Sequence, residues 1–113
     1  MSIRQYEIWL ADLSPKDGTE PGKTRPVVVV QTNLLNEALH PSTIICPITS
    51  KVNKDLQTLR VHVEKGQLDK ASDILVDQIR AIDNRRLLKK LSKLTKDQAL
   101  LLKENISNVL GFF

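Results

Sequence analysis

Four β-branched residues in a row, Val27-Val28-Val29-Val30, follow directly on Arg25-Pro26. An apolar run of this kind, without polar alternation, reads as a strand buried on both faces. Proline is acceptable as its first residue, because the missing N–H costs least there. The proline also biases Arg25 away from helical and towards extended backbone. Arg25 therefore stands at a stiff junction between the buried strand and what precedes it. That preceding stretch, Leu13 to Thr24, holds two prolines, two glycines and four charged residues and reads as a loop.

The remaining elements can be arranged around this strand. Tyr6 to Ala11 mixes apolar and polar residues as a strand does. Asn33 to Leu39 suits a short helical turn. Thr43 to Thr49 reads as a strand in which Pro47 argues for an edge position or a bulge. Ser50 to Gln57 is polar and loop-like. Leu59 to Val63 alternates as a half-buried strand, and Ile74 to Ile82 reads as one further continuous strand. Within it, alternation puts Ile79 and Ala81 on one side and Gln78, Arg80 and Ile82 on the other. The leucines at 87, 88, 91 and 94 fit a helix, yet Lys90-Leu91-Ser92 also fits a short strand. Thr95 with Gln98 forms a capping-box signature, Ala99, Leu102, Ile106 and Val109 follow helical spacing, and Gly111 is a natural stop. The expected architecture is mainly β with α: a strongly curved antiparallel sheet closed by a C-terminal helix over Lys96 to Leu110.

A chain of 113 residues is enough for one domain, read here as residues 1–113, and a domain of this size gains from dimerisation. Its single cysteine, Cys46, lies in an apolar run and reads as a small buried hydrophobe. No cationic leader followed by an apolar stretch opens the sequence, and no apolar run approaches the ~20 residues of a membrane span, so a soluble cytoplasmic protein with no membrane partner is expected. The net charge is +4. From Asn84 to Lys96, Arg85, Arg86, Lys89, Lys90, Lys93 and Lys96 follow one another with no intervening acid. Such a run suits a solvated face as well as a phosphate-binding one.

Several chemistries lack their residues. No glycine-rich phosphate loop, no zinc-spaced Cys/His cluster and no Gly-x-Ser-x-Gly occurs, and the acids are scattered, so neither a two-metal site nor any other cofactor is expected. His40 and His62 have nothing in the sequence that brings them together, and each reads as an exposed or hydrogen-bonded structural histidine. Arg25, Thr49, Ser50, Asp77, Gln78 and the basic run remain. Cleavage of RNA by its own 2′-hydroxyl requires an in-line substrate, proton transfers and stabilisation of charge at phosphorus. Arginine offers a planar fork matched to phosphate oxygens, and threonine a small hydroxyl donor. Arg25 and Thr49 are 24 residues apart, and spacing alone does not pair them.

Three stretches, taken together, supply that link. Ile8-Trp9-Leu10-Ala11-Asp12-Leu13-Ser14-Pro15 with Gly22-Lys23-Thr24-Arg25-Pro26-Val27-Val28-Val29-Val30-Gln31-Thr32-Asn33 closely resembles the opening of the MazF/PemK toxin family. Cys46-Pro47-Ile48-Thr49-Ser50 resembles its second motif, and Leu75-Val76-Asp77-Gln78-Ile79-Arg80-Ala81-Ile82-Asp83 its third. The resemblance implies an SH3-like-barrel sheet of the MazF/PemK/CcdB kind and a homodimer with RNA in a groove across the interface. It implies sequence-specific, metal-independent cleavage of single-stranded RNA to a 2′,3′-cyclic phosphate and a 5′-hydroxyl. It also implies a cognate antitoxin whose acidic tail blocks the groove. Carried over by position, the catalytic arginine falls on Arg25 and the catalytic threonine on Thr49. Ser50 and Gln78 fall at substrate-contacting positions, and Thr19 in the loop that gates the groove. Asp77 matches an aspartate that the Kid branch pairs with an arginine two residues earlier; Leu75 stands there in this chain, so the pairing does not carry over and Asp77 is left as a substrate contact. The related CcdB toxins share the fold but bind DNA gyrase and cut nothing. The Arg-Pro and Pro-Ile-Thr-Ser motifs favour the ribonuclease.

Overall fold

The computed structural model describes residues 2–14 and 23–112. These form seven strands: β1 (Glu7–Asp12), β2 (Thr24–Val29), β3 (Ser42–Thr49), β4 (Arg60–Val63), β5 (Ser72–Leu75), β6 (Arg80–Asp83) and β7 (Leu87–Lys93). Two helices, α1 (Asn33–Glu37) and α2 (Lys96–Leu110), complete them. The strands pair antiparallel in the order β4-β5-β3-β2-β1-β7, with β6 attached to the first half of β3. This is the expected open, curved sheet with a C-terminal helix.

The valine run accounts for the two-layered core. Val27, Val28 and Val29 are all fully buried. Val28 joins Ile8, Cys46, Ile48, Ile74 and Leu102 on the helix side, whereas Val27 and Val29 join Trp9, Ala11, Ile45 and Ile82 on the other. Alternation along one strand thus feeds two cores, and neither face of β2 can turn to water. β2 begins two residues before Pro26, the expected first residue, taking in Thr24 and Arg25 opposite Asp12 and Ala11 of β1.

Two expectations are corrected and one open reading is resolved. The stretch Ile74 to Ile82 is not one strand. A 3-10 turn over Val76–Gln78 divides it, so that β5 pairs with the end of β3 and β6 with its beginning. Pro47 lies in a central strand, not at an edge or in a bulge. It is tolerated because it falls in the gap between Ile45, which pairs with β6, and Ile48, which pairs with β5. The ambiguous segment after Arg86 is strand β7. Its pairing with β1 shifts register twice, between Ile8 and Trp9 and between Leu10 and Ala11. Leu91 and Leu88 are the residues passed over at those two shifts, and both are exposed. Bulges of this kind scramble strand alternation and produce the helix-like spacing of leucines.

Helix α2 has the expected ends. Thr95 and Gln98 form the reciprocal capping box, and Gly111 closes the helix in left-handed conformation with φ 75°. Leu102 is fully buried against the β4 side of the core, and Asn105, also buried, donates through Nδ2 to the carbonyls of Gln57 and Arg60 at 3.2 Å each. No helix among the described residues is long and apolar enough to cross a membrane.

Glu7 is a buried acid at the end of β1. Burial pulls its carboxyl upward, but Lys90 Nζ at 2.7 Å, the Arg4 N–H at 2.8 Å and Trp9 Nε1 at 3.1 Å outweigh this and hold it below its ordinary value. A folded-state pKa below the unfolded one stabilises the fold above the unfolded value, and that contribution is lost as pH falls through the folded one. The thermal midpoint is therefore expected to hold steady down to about pH 5 and to fall below about pH 4, the range of unfolded carboxylates. In Glu7→Gln this acid limb is expected to be shallower. A midpoint that rises on acidification would contradict the assignment.

Candidate active site

The β2–β3 ladder fixes what spacing could not. Val29 faces Ile45, Val28 faces Cys46 and Val27 faces Pro47. Two further steps in the same register would set Arg25 opposite Thr49, so the ladder brings two residues far apart in sequence to the same end of the sheet. The ladder stops before it reaches them, for a reason legible in its hydrogen bonds. The Val30 N–H donates to the Ile44 carbonyl at 3.0 Å, so alternate residues 28 and 26 turn their amides towards β3. Position 26 is proline and has no amide to offer. The ladder ends there, while on its other edge β3 runs on along β5, with Ile48 facing Ile74 and Thr49 facing Asp73.

A cleft of about 1240 Å³ occupies this open end. Arg25, Thr49 and Ser50 border it, and Leu10, Pro26 and Ile48, one row of the ladder, form an apolar strip beside them. Lys51, Lys65, Lys70 and Lys89 also line it, against a single acid, Asp69, among the described lining residues. The balance of charge suits an anion. The Thr49 hydroxyl oxygen accepts from the Lys51 N–H at 3.2 Å, which orients the oxygen and leaves its hydrogen to donate. Arg25 is half-buried on its strand.

The other expected site residues lie elsewhere. Asp77 and Gln78 belong to the 3-10 turn, Asp77 exposed and Gln78 half-buried, and neither borders the cleft. The turn precedes the end of β6 that is nearer Thr49, because Arg80 faces Ile45 and the strands run antiparallel. Thr19 lies outside the described residues. Arg80, opposite Ile45 in β6, falls by alternation on the same sheet face as Arg25 and Thr49 but does not border the cleft. The two histidines are structural, as expected: His40 Nδ1 lies 2.9 Å from the Ser42 carbonyl and His62 Nδ1 3.1 Å from Asp73 Oδ1. The basic run is divided in use. Arg85 pairs with Asp83, Arg86 donates to the carbonyls of Asp12 and Ser14, Lys90 pairs with Glu7, and only Lys89 borders the cleft. Cys46 is no nucleophile. Burial, with the nearby Asp77 charge, pushes its thiol up to about 12.

A network that the sequence did not reveal adjoins Thr49. Asp73, buried on β5, accepts from the Asn53 N–H at 2.9 Å and from Arg60 Nη1 at 3.3 Å, and its other oxygen meets His62. Burial raises the Asp73 carboxyl, and these three partners more than reverse the effect, holding it below the ordinary carboxylate range.

Residues 4–110 match the family model of the PemK-like, MazF-like toxin of type II toxin-antitoxin systems. The chain belongs to this family. Solved structures agree in fold. MazF from Deinococcus radiodurans superposes with a TM-score of 0.84 at 21% identity over 98% of each chain. The toxin MazF-mt6 of Mycobacterium tuberculosis gives 0.77 at 24% identity, covering 93% of this chain and 96% of that one. A mycobacterial endoribonuclease in complex with its cognate antitoxin gives 0.76 at 14% identity, covering 97% and 94%. For a MazF-like toxin, the open end of the β2–β3 ladder is the natural place to look for chemistry, because it gathers Arg25, the Thr49 hydroxyl and an excess of lysines around one cleft.

Proposed function

We propose that this MazF-like toxin is a sequence-specific endoribonuclease that cuts single-stranded RNA without a metal ion. The observation that carries this reading is that Arg25 and Thr49, at the open end of the β2–β3 ladder, border the same lysine-lined cleft. In the reaction the ribose 2′-oxygen attacks the adjacent phosphorus as its proton departs, the bond from phosphorus to the 5′-oxygen breaks, and that oxygen takes up a proton. The products are a 2′,3′-cyclic phosphate and a 5′-hydroxyl. Negative charge builds on the two non-bridging oxygens. Arg25 meets it with a guanidinium fixed by an extended backbone before Pro26, and Thr49 donates its hydroxyl hydrogen to the same group. Arg25 acts as charge stabiliser and not as base, since guanidinium does not give up its proton in this range. The cleft lysines hold flanking phosphates. Ser50, Thr19, Gln78 and Asp77 are assigned to contacts with the RNA along its path on either side of the cut.

The working unit in this reading is a cytoplasmic homodimer, and its inhibitor is a cognate antitoxin with an acidic segment drawn to the basic cleft. The mycobacterial endoribonuclease solved with its cognate antitoxin supports that partner class. The test is to incubate purified protein with a long single-stranded RNA in the presence of chelator and to map the 5′ ends. Cuts at a recurring short sequence, with 5′-hydroxyl ends, are expected. RNA left intact at high protein concentration would overturn the reading in favour of a gyrase-binding toxin of the CcdB type.

A further inference from the structure

We infer that Asp73 is a positioning residue for Thr49: its buried carboxylate, with Arg60, clamps the 50–53 segment that orients the Thr49 hydroxyl. The inference rests on the ribonuclease reading above. Asp73 sits directly opposite Thr49 on β5 and is 3% exposed. Its carboxylate accepts from the Asn53 N–H at 2.9 Å, fixing the far end of the segment. Arg60 Nη1 bridges Asp73 Oδ2, at 3.3 Å, and the Lys51 carbonyl, at 2.7 Å. The same Lys51 residue turns its N–H to the Thr49 hydroxyl oxygen at 3.2 Å. One continuous path therefore runs from Asp73 through Arg60 and Lys51 to Thr49 Oγ1. None of Asp73, Arg60 and His62 borders the lysine-lined cleft. All three line a separate recess of about 380 Å³ against Leu101 of α2. The carboxylate thus acts through the loop, without reaching a substrate in the cleft.

A buried charge is a costly way to fill this position, since an apolar side chain of similar size would serve stability as well. The arrangement makes sense if what it secures is geometry. Among the described residues no buried side-chain polar atom lacks a hydrogen-bond partner, so the network is complete and stiff. Displacing a catalytic group by about 1 Å can cost up to roughly 10²-fold in rate.

The experiment compares wild type, Asp73→Asn, Thr49→Ala and the double variant in steady-state RNA cleavage, with folding checked by circular dichroism. Asp73→Asn is expected to lower kcat by about 10- to 100-fold with a much smaller rise in KM, since of the groups assigned to hold the RNA only Ser50 and Lys51 ride on the clamped segment. In the Thr49→Ala background it is expected to cost nothing further, because its effect passes through that hydroxyl. Leu102→Ala, a core truncation on α2 that lines neither the cleft nor the recess, is expected to lower stability and leave kcat unchanged. Asn53→Pro removes the clamped N–H from an exposed loop and gives the same kcat loss, keeping the test decisive if the buried substitution prevents folding. A folded Asp73→Asn at parental kcat, or a loss that adds to that of Thr49→Ala, overturns the positioning role. A wild-type chain that cuts no RNA overturns the ribonuclease reading itself and the role with it.

Discussion

Arg25→Ala is expected to lower RNA cleavage by about 10²-fold or more while the protein keeps its cooperative unfolding and its strand-rich circular dichroism spectrum. The size follows from what is removed. A planar, permanently charged donor next to the developing phosphorane charge is worth several kcal/mol in a partly desolvated cleft, and alanine offers nothing in its place. The fold should survive, because the side chain is half-buried at the end of β2 and belongs to neither apolar cluster. Arg25→Lys is expected to recover only part of the loss, since an ammonium keeps the charge but not the fork. Single-turnover cleavage of an RNA bearing one mapped site measures both variants. Parental rates in a folded Arg25→Ala protein would move the chemistry away from the β2–β3 opening.

The largest stability effect is expected at Leu102. It is fully buried and carries α2 onto the cluster that includes Val61, Val63, Ile74 and Val76. Leu102→Ala removes the buried methyl groups and leaves a cavity between helix and sheet, a change that typically costs about 3 kcal/mol. For a chain of this length the thermal midpoint would fall by on the order of 10 °C. Urea unfolding with an unchanged slope would read the same quantity. Leu100, on the opposite side of the helix and 58% exposed, serves as the contrast: Leu100→Ala should leave the midpoint nearly where it was. Similar losses at both positions would mean that α2 is not docked through the Leu102 face.

The sequence signals that held up were those with a local cause. The valine run specified β2 because β-branching and burial act on single residues, and the Thr95–Gln98 box and Gly111 fixed the two ends of α2 within a few bonds of themselves. The expectations that failed depended on partners elsewhere in the chain. Val76–Gln78 lies between an apolar stretch and an alternating one and so reads as part of a strand, and it turns because β5 and β6 must address different halves of β3. Leu88 and Leu91 break alternation only because β1 imposes two register shifts on β7. Pro47 looked out of place in a central strand because the change of neighbour at that point is invisible from one segment. The site divides in the same way. Arg25, Thr49 and Ser50 were found through motif resemblance, but their meeting at one cleft is a property of strand register, which no spacing rule encodes. Asp73 carried no signal at all: in sequence it is one more acid in a Ser-Asp-Ile stretch, and only the pairing of β4 with β5 sets it between Arg60 and His62.

The missing amide at Pro26 has a consequence for how this protein waits between encounters. An opening made by moving a lid must be reopened each time, and it closes when the lid relaxes. An opening made by leaving out a donor has no closed form to relax into, because the bond that would zip β2 to β3 cannot be made. β2 and β3 therefore cannot zip shut at this row, and whatever governs access to the cleft must act from outside their ladder.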